Sequence, residues 1–242
     1  MNDLETFQLP GAGNFSFSGV GVDQLGATEY TLVTIVRDIT GSMSGFEQEL
    51  IKVTQAIVEA CRKSPRAENL MVRVVDFNQA ISEVHGFKPL SIIKTADYKT
   101  PYCNGLTALF DAAYSSIAAE VAYSETLMDQ DFLVNGIVVV LTDGEDNRSS
   151  MTPRSIADLL EKVRKSEKEI ESLLTVLVSF NLSGGSKALL DQFAKDATFD
   201  QYIDAGSCTP ETMSKIAGFV SKSISSQSQS LGTGGPSAPI GF

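Results

Sequence analysis

Tryptophan is absent from this chain of 242 residues, histidine occurs once and cysteine only three times. The single histidine, His85, falls on a presumed edge hairpin, so a serine triad lacks a base near the acidic motifs described below. Cys61, Cys103 and Cys208 are odd in number and scattered, which argues against a disulfide framework and for a reducing, cytoplasmic setting. No apolar run approaches the ~18 residues that a membrane span requires; the longest, around Gly136 to Leu141, has the length of a strand. Met1-Asn2-Asp3-Leu4-Glu5 lacks the apolar core of a secretory signal. Basic residues are few. With 19 Lys and Arg against 30 Asp and Glu, the net charge is −11. Nucleic acid and anionic membranes are disfavoured as partners, because both call for clustered lysine and arginine.

What is present is a repeated alternation of strand and helix. Apolar runs predict strands over 30–38, 70–77, 136–141 and 173–180, with shorter ones at 81–87 and 199–204. Phe46, Leu50, Val53, Ile57 and Cys61 fall on one helical stripe, which stops near Ser64-Pro65. Further helices are expected over 107–121, after the Thr152-Pro153 start signal, over 187–195 and over 210–224. The tight link Asn78-Gln79 implies a hairpin, which places the third strand antiparallel at an edge. The expected fold is therefore a doubly wound α/β domain: a mostly parallel, six-stranded sheet with one antiparallel edge strand and helices on both faces. Residues 1–28 read as an irregular arm, 29–225 as the domain, and 226–242 as a flexible Ser/Gln/Gly/Pro tail.

Three segments carry the chemistry. Asp38-Ile39-Thr40-Gly41-Ser42 follows the first strand and offers a carboxylate and two hydroxyls at alternate positions. Gly105-Leu106-Thr107 offers another hydroxyl at a loop-to-helix junction. Thr142-Asp143-Gly144 ends the fourth strand in a second carboxylate. Hard oxygens of this kind suit Mg²⁺, or alternatively Mn²⁺ or Ca²⁺, over softer transition metals. Two carboxylates about 6 Å apart would repel by about 3 kcal/mol at an effective dielectric of 20, and a divalent ion removes that cost.

In these motifs the chain resembles the von Willebrand factor type A (vWA) domain family and its metal-ion-dependent adhesion site, over roughly residues 29–220. The match carries the metal-ligand roles to Asp38, Thr40, Ser42, Thr107 and Asp143. It also implies that the first and fourth strands lie side by side, with Asp38 and Asp143 at the switch point where such sheets bind ligands. Thr40 stands where serine is usual, Leu106 where a second glycine is common, and Arg37 where the family has an apolar residue. Arg37 is expected to snorkel at the strand end, to pair with Glu145, Asp146 or Asp111, or to sit by the ion and tune its charge. Asp111 is expected to brace the site loops, with Glu145, Asn147 and Arg148 on a partner-contact rim; Met43, Tyr102 and Asp146 are also expected around the ion, and Phe46 near it but in the core, being on the apolar stripe.

The resemblance implies a metal-dependent protein-binding adaptor rather than an enzyme, in which a partner's Asp or Glu completes the coordination of the cation. Some intracellular relatives act with AAA+ ATPases, which makes that a setting to consider. One alternative is a closed structural metal site with recognition elsewhere. Another is a Mg²⁺-dependent phosphotransferase using Asp38, which would need a second carboxylate where Thr40 stands.

Overall fold

Burial on both faces explains why the central strands are continuously apolar. The computed structural model describes residues 4–8, 15–165, 170, 172–182, 184–207 and 209–233. Strand β3 (Glu29–Asp38) is buried from Tyr30 to its end, and β6 (Leu133–Thr142) from Val134 to its end. They run parallel and adjacent, with Glu29 opposite Leu133 and Arg37 opposite Leu141. Strands β4 (Leu70–Phe77), β7 (Ser172–Ser179) and β8 (Gln201–Asp204) extend the parallel sheet, and β5 (Ile81–Pro89) returns antiparallel to β4.

Side-chain alternation divides these strands between two cores. Val33, Ile35, Ile137 and Val139 face helices α1 (Glu47–Arg62) and α5 (Pro210–Thr233), packing with Leu50, Ile57, Ile216 and Val220. Val36, Val138 and Val140 face the other way, onto α2 (Leu109–Met128), α3 (Pro153–Lys165) and α4 (Ser186–Asp196). The hydroxyl of Thr152 accepts the Ser155 N–H at 3.2 Å, the cap expected before Pro153.

The sheet has eight strands, not six, in the order β1-β2-β5-β4-β3-β6-β7-β8. The extra pair comes from the stretch expected to be an irregular arm: β1 (Leu4–Gln8) and β2 (Ser16–Val20) form an antiparallel hairpin. β2 then lies parallel to β5 with Gly19 opposite Phe87, so β5 is not an edge. Glycine permits the approach, since a Cβ on Gly86 would sit 2.0 Å from the Ser18 carbonyl oxygen. Aromatic packing replaces the missing periodicity: Phe7 stacks on Phe17 at 5.0 Å, and Phe87 on Tyr123 at 4.7 Å.

The far end also departs from expectation. Helix α5 continues to Thr233, into the stretch read as tail, and Gln227 and Ser228 are buried. The Asn135 side-chain amide donates to the Gln227 carbonyl at 2.7 Å. Serine and glutamine hide this turn from a hydropathy reading because its burial is polar. Residues 1–3, 9–14 and 234–242 of the expected arm and tail lie outside the described residues.

Candidate metal centre

Asp38 and Asp143 come together because β3 and β6 are neighbours and end at the same level. Asp38 and Thr142, being on the same face of adjacent strands, meet directly: the Thr142 hydroxyl donates to Asp38 Oδ2 at 2.6 Å. Asp38 Oδ1 accepts the Thr40 N–H at 2.9 Å, which folds the chain back over the carboxylate. The Thr40 and Ser42 hydroxyls are 3.0 Å apart, and Ser42 Oγ donates to Asp143 Oδ1 at 2.8 Å. Four of the five expected ligands are thus linked through short polar contacts.

The loop bearing Thr107 is held against both others. Gly41 N–H donates to the Gly105 carbonyl at 3.2 Å, and Asn104 N–H to the Ile39 carbonyl at 2.9 Å. Gly105 has φ of +81°, a left-handed conformation that side chains with a Cβ rarely adopt, so the turn favours glycine. On the other side, Asn147 Oδ1 accepts the Thr107 N–H at 2.8 Å, while the Thr107 carbonyl accepts the Asn147 and Arg148 N–H groups. Thr107 is therefore fixed through its backbone, and its hydroxyl takes part in none of these bonds.

Burial sets the electrostatics. Asp38 is fully buried, and desolvation pushes its pKa up to about 6, against the lowering effect of the Thr142 and Thr40 hydrogen bonds; the nearby Asp143 adds to the rise. Asp143 is also raised, chiefly by desolvation and despite the bond from Ser42. Two carboxylates held in a poorly solvated site, with hydroxyls between them, favour a divalent cation bound through hard oxygens. Among the described residues no cluster of three or more His, Cys, Asp or Glu is formed, so the remaining donors here are hydroxyls.

The surrounding residues take more varied places than expected. Arg37 neither snorkels, nor pairs with Glu145, Asp146 or Asp111, nor sits beside the candidate ligands. It is 1% exposed and clamps Asp76 on β4 with Nε–Oδ1 at 2.7 Å and Nη2–Oδ2 at 2.9 Å, while Nη1 donates to Thr54 on α1 at 3.3 Å. Strand parity sends it to the face opposite Asp38. Asp111 does brace a site loop, accepting the Ser150 N–H at 3.0 Å and the Met151 N–H at 2.7 Å. Asp146 accepts the Phe110 N–H at 3.3 Å at the start of α2. Asn147 is a brace as well as a surface residue, and Arg148 is exposed. Met43 is fully buried in the core and Phe46 is half-buried against it, whereas Tyr102 is 80% exposed. His85 is half-buried on β5: its ring contacts the Gly86 carbonyl at 2.9 Å and the Tyr98 hydroxyl at 3.0 Å, and burial lowers its pKa to about 4.

The sequence reading assigned no role to Thr142 or Asp76. A hydroxyl immediately before the aspartate at a strand end was the available signal for Thr142. Nothing local marks Asp76, because its partner lies on another strand.

No protein-family profile and no curated protein matches the sequence. Solved structures do match in fold. The PilB minor pilin of Streptococcus sanguinis superposes with a TM-score of 0.56 at 15% identity, covering 92% of this chain and 67% of the pilin. The pilus adhesin SpaC of Lactobacillus rhamnosus GG gives 0.59 at 12% identity, covering 84% of this chain and 31% of the adhesin. Proximal thread matrix protein 1 from the mussel byssus, solved with a zinc-occupied MIDAS motif, gives 0.54 at 20% identity, covering 81% of this chain and 46% of that protein. These neighbours are vWA-domain proteins, and the chain has the vWA fold. It spans about two thirds of the pilin, less than half of the matrix protein and about a third of the adhesin.

Proposed function

We propose that this chain is a metal-dependent protein-binding module in which Asp38, Thr40, Ser42, Thr107 and Asp143 hold a Mg²⁺-type ion and a partner protein supplies an aspartate or glutamate to it. The observation that carries this reading is the polar chain Asp38–Thr40–Ser42–Asp143 at the adjoining ends of β3 and β6. A bound cation would supply a Lewis-acidic position for an incoming carboxylate. The protein's own residues supply a buried carboxylate, Asp38, a half-buried one, Asp143, positioned hydroxyls and a rigid frame.

A purely structural clip is the weaker reading. Direct hydrogen bonds already join the three loops, through Gly41 to Gly105 and through Thr107 to Asn147. An ion is not needed to hold them. Phosphotransfer from Asp38 is disfavoured because Thr40 offers a hydroxyl where a general acid is required, and Asp38 already accepts two hydrogen bonds. The neighbours are a pilin, an adhesin and a matrix protein, which supports a binding role without catalysis. A reducing compartment belongs to the same proposal, with Cys61 and Cys103 both free and buried. An AAA+ ATPase system as partner rests on the sequence resemblance alone.

The test is Mn²⁺ binding followed by paramagnetic resonance and by melting temperature. One ion is expected to bind and to stabilise the fold by about 2.7 kcal/mol at a hundredfold excess over Kd. Asp38→Ala and Asp143→Ala should abolish the response. A melting curve indifferent to Mg²⁺, Mn²⁺ and EDTA would overturn the reading.

A further inference from the structure

A second feature lies beside the candidate metal centre. Two residues beyond Asp143, the same loop enters the wall of a groove of about 210 Å³ between the start of α2 and α4. Its base is apolar: Phe110 and Phe193 have ring centroids 4.6 Å apart, and Leu189 beside them is 55% exposed. Glu145, Asp146 and Asp196 lie in its lining with Pro153, Leu190 and Gln192, the last donating to Asp196 at 2.7 Å, and the lining contains no lysine or arginine. None of the three carboxylates makes an ion pair with a lysine or arginine among the described residues. Asp146 is held in place by the Ser149 hydroxyl at 2.5 Å and by the Phe110 N–H.

An exposed leucine over an aromatic base gains by being covered. Three carboxylates without a lysine or arginine partner among the described residues, on a chain of net charge −11, select what covers it. A second copy of this acidic chain is a poor occupant, and an apolar side chain accompanied by a cation is a good one. We propose that this groove is the specificity pocket of the protein-binding face, taking a bulky apolar side chain followed by a lysine or arginine from the partner segment whose acid reaches the cation. This deepens the function proposed above and rests on it. The Cα atoms of Asp143 and Glu145 are at most about 7.6 Å apart along the chain. An extended partner rises about 3.3 Å per residue. Spacings of two to four residues between the partner's acid and its apolar residue, about 7 to 13 Å, span that separation together with the reach of the side chains.

Synthetic peptides on a Gly/Ser background test this by fluorescence anisotropy against the full chain in Mn²⁺ and in EDTA. One set carries Asp followed two, three or four residues later by Leu-Lys. Controls change Asp to Asn, or Leu-Lys to Ser-Glu. At the best spacing the complete peptide should bind at least tenfold more tightly than the Ser-Glu control. Leu189→Asp and Asp196→Lys should remove that advantage while leaving Mn²⁺ affinity unchanged; both positions are exposed, so folding is not at stake. Equal binding of the complete and Ser-Glu peptides, or no binding of any peptide, overturns the groove while leaving Mn²⁺ binding as the separate test of the metal centre. A Leu-Lys advantage that persists unchanged in EDTA and in the Asn control supports the groove and removes its link to the cation.

Discussion

Thr142, the last residue of β6, donates its hydroxyl proton to Asp38, the last residue of β3, across 2.6 Å. The contact joins two strand ends that are 104 residues apart in the chain and orients the buried carboxylate toward the loop that carries Ser42. It serves Asp38 Oδ2, while the Thr40 N–H serves Oδ1.

Thr142→Val keeps the shape and removes that donor. Leaving a buried carboxylate oxygen without it should cost about 1–3 kcal/mol of stability, measured by urea unfolding in EDTA. Thr142→Ser should retain most of the wild-type value. Equal midpoints for the valine variant and wild type would show that Asp38 does not depend on this bond.

Arg37, fully buried, pairs with the partly exposed Asp76 on the face opposite Asp38. Removing one partner strands the other, so Asp76→Ala should lose about 3–5 kcal/mol. Replacing both, with Arg37→Met and Asp76→Leu, should recover much of that loss. Denaturant midpoints of the two singles and the double variant measure the difference.

Glu120 on α2 is fully buried; its carboxyl accepts from the Thr34 hydroxyl at 2.5 Å and the Ile137 N–H at 3.2 Å. Desolvation raises its pKa to about 8, offset in part by Thr34, Arg73 and Ile137 N–H. The folded state therefore holds a proton that the unfolded chain releases near pH 4.5. Its contribution is fully present below that value and is lost as pH rises through about 8. Between pH 6 and 8.5 wild-type stability should fall, and Glu120→Gln should flatten the fall. Parallel pH profiles in the two proteins would assign the dependence to other groups.

Truncation after Ser225 should lower the melting temperature by several degrees. It removes the last two turns of α5, the buried Gln227 and Ser228, and the carbonyl that accepts the Asn135 amide. An unchanged curve would show that this end of α5 contributes nothing to the fold.

Much of the site was legible because its signals are local. Asp38, Thr40 and Ser42 alternate over five residues, and Thr107 and Asp143 each sit at the junction of a predicted element. The strand ends were legible too, since burial on both faces makes β3 and β6 apolar throughout. The hairpin of β1 and β2 was not. Its strands are short, and they are held by Phe17 on Phe87 and by Ser18 donating to Glu83 at 2.7 Å, contacts between residues some 65 positions apart or more. The last turns of α5 were missed for the converse reason, because they bury polar side chains.

The amino-acid sequence by itself determined the alternation of strand and helix, the acidic surface and the set of hard-oxygen donors, all of which follow from residue type and near-neighbour spacing. Tertiary structure alone decided which of these groups meet. Strand parity sent Arg37 to Asp76 and Asp38 to Thr142, and the adjacency of β3 and β6 joined Ser42 to Asp143. The packing of α4 beside α2 made a groove from Phe110 and Leu189. Such pairings depend on strand order and helix placement, which are set by the global minimum of packing rather than by any short stretch of chain.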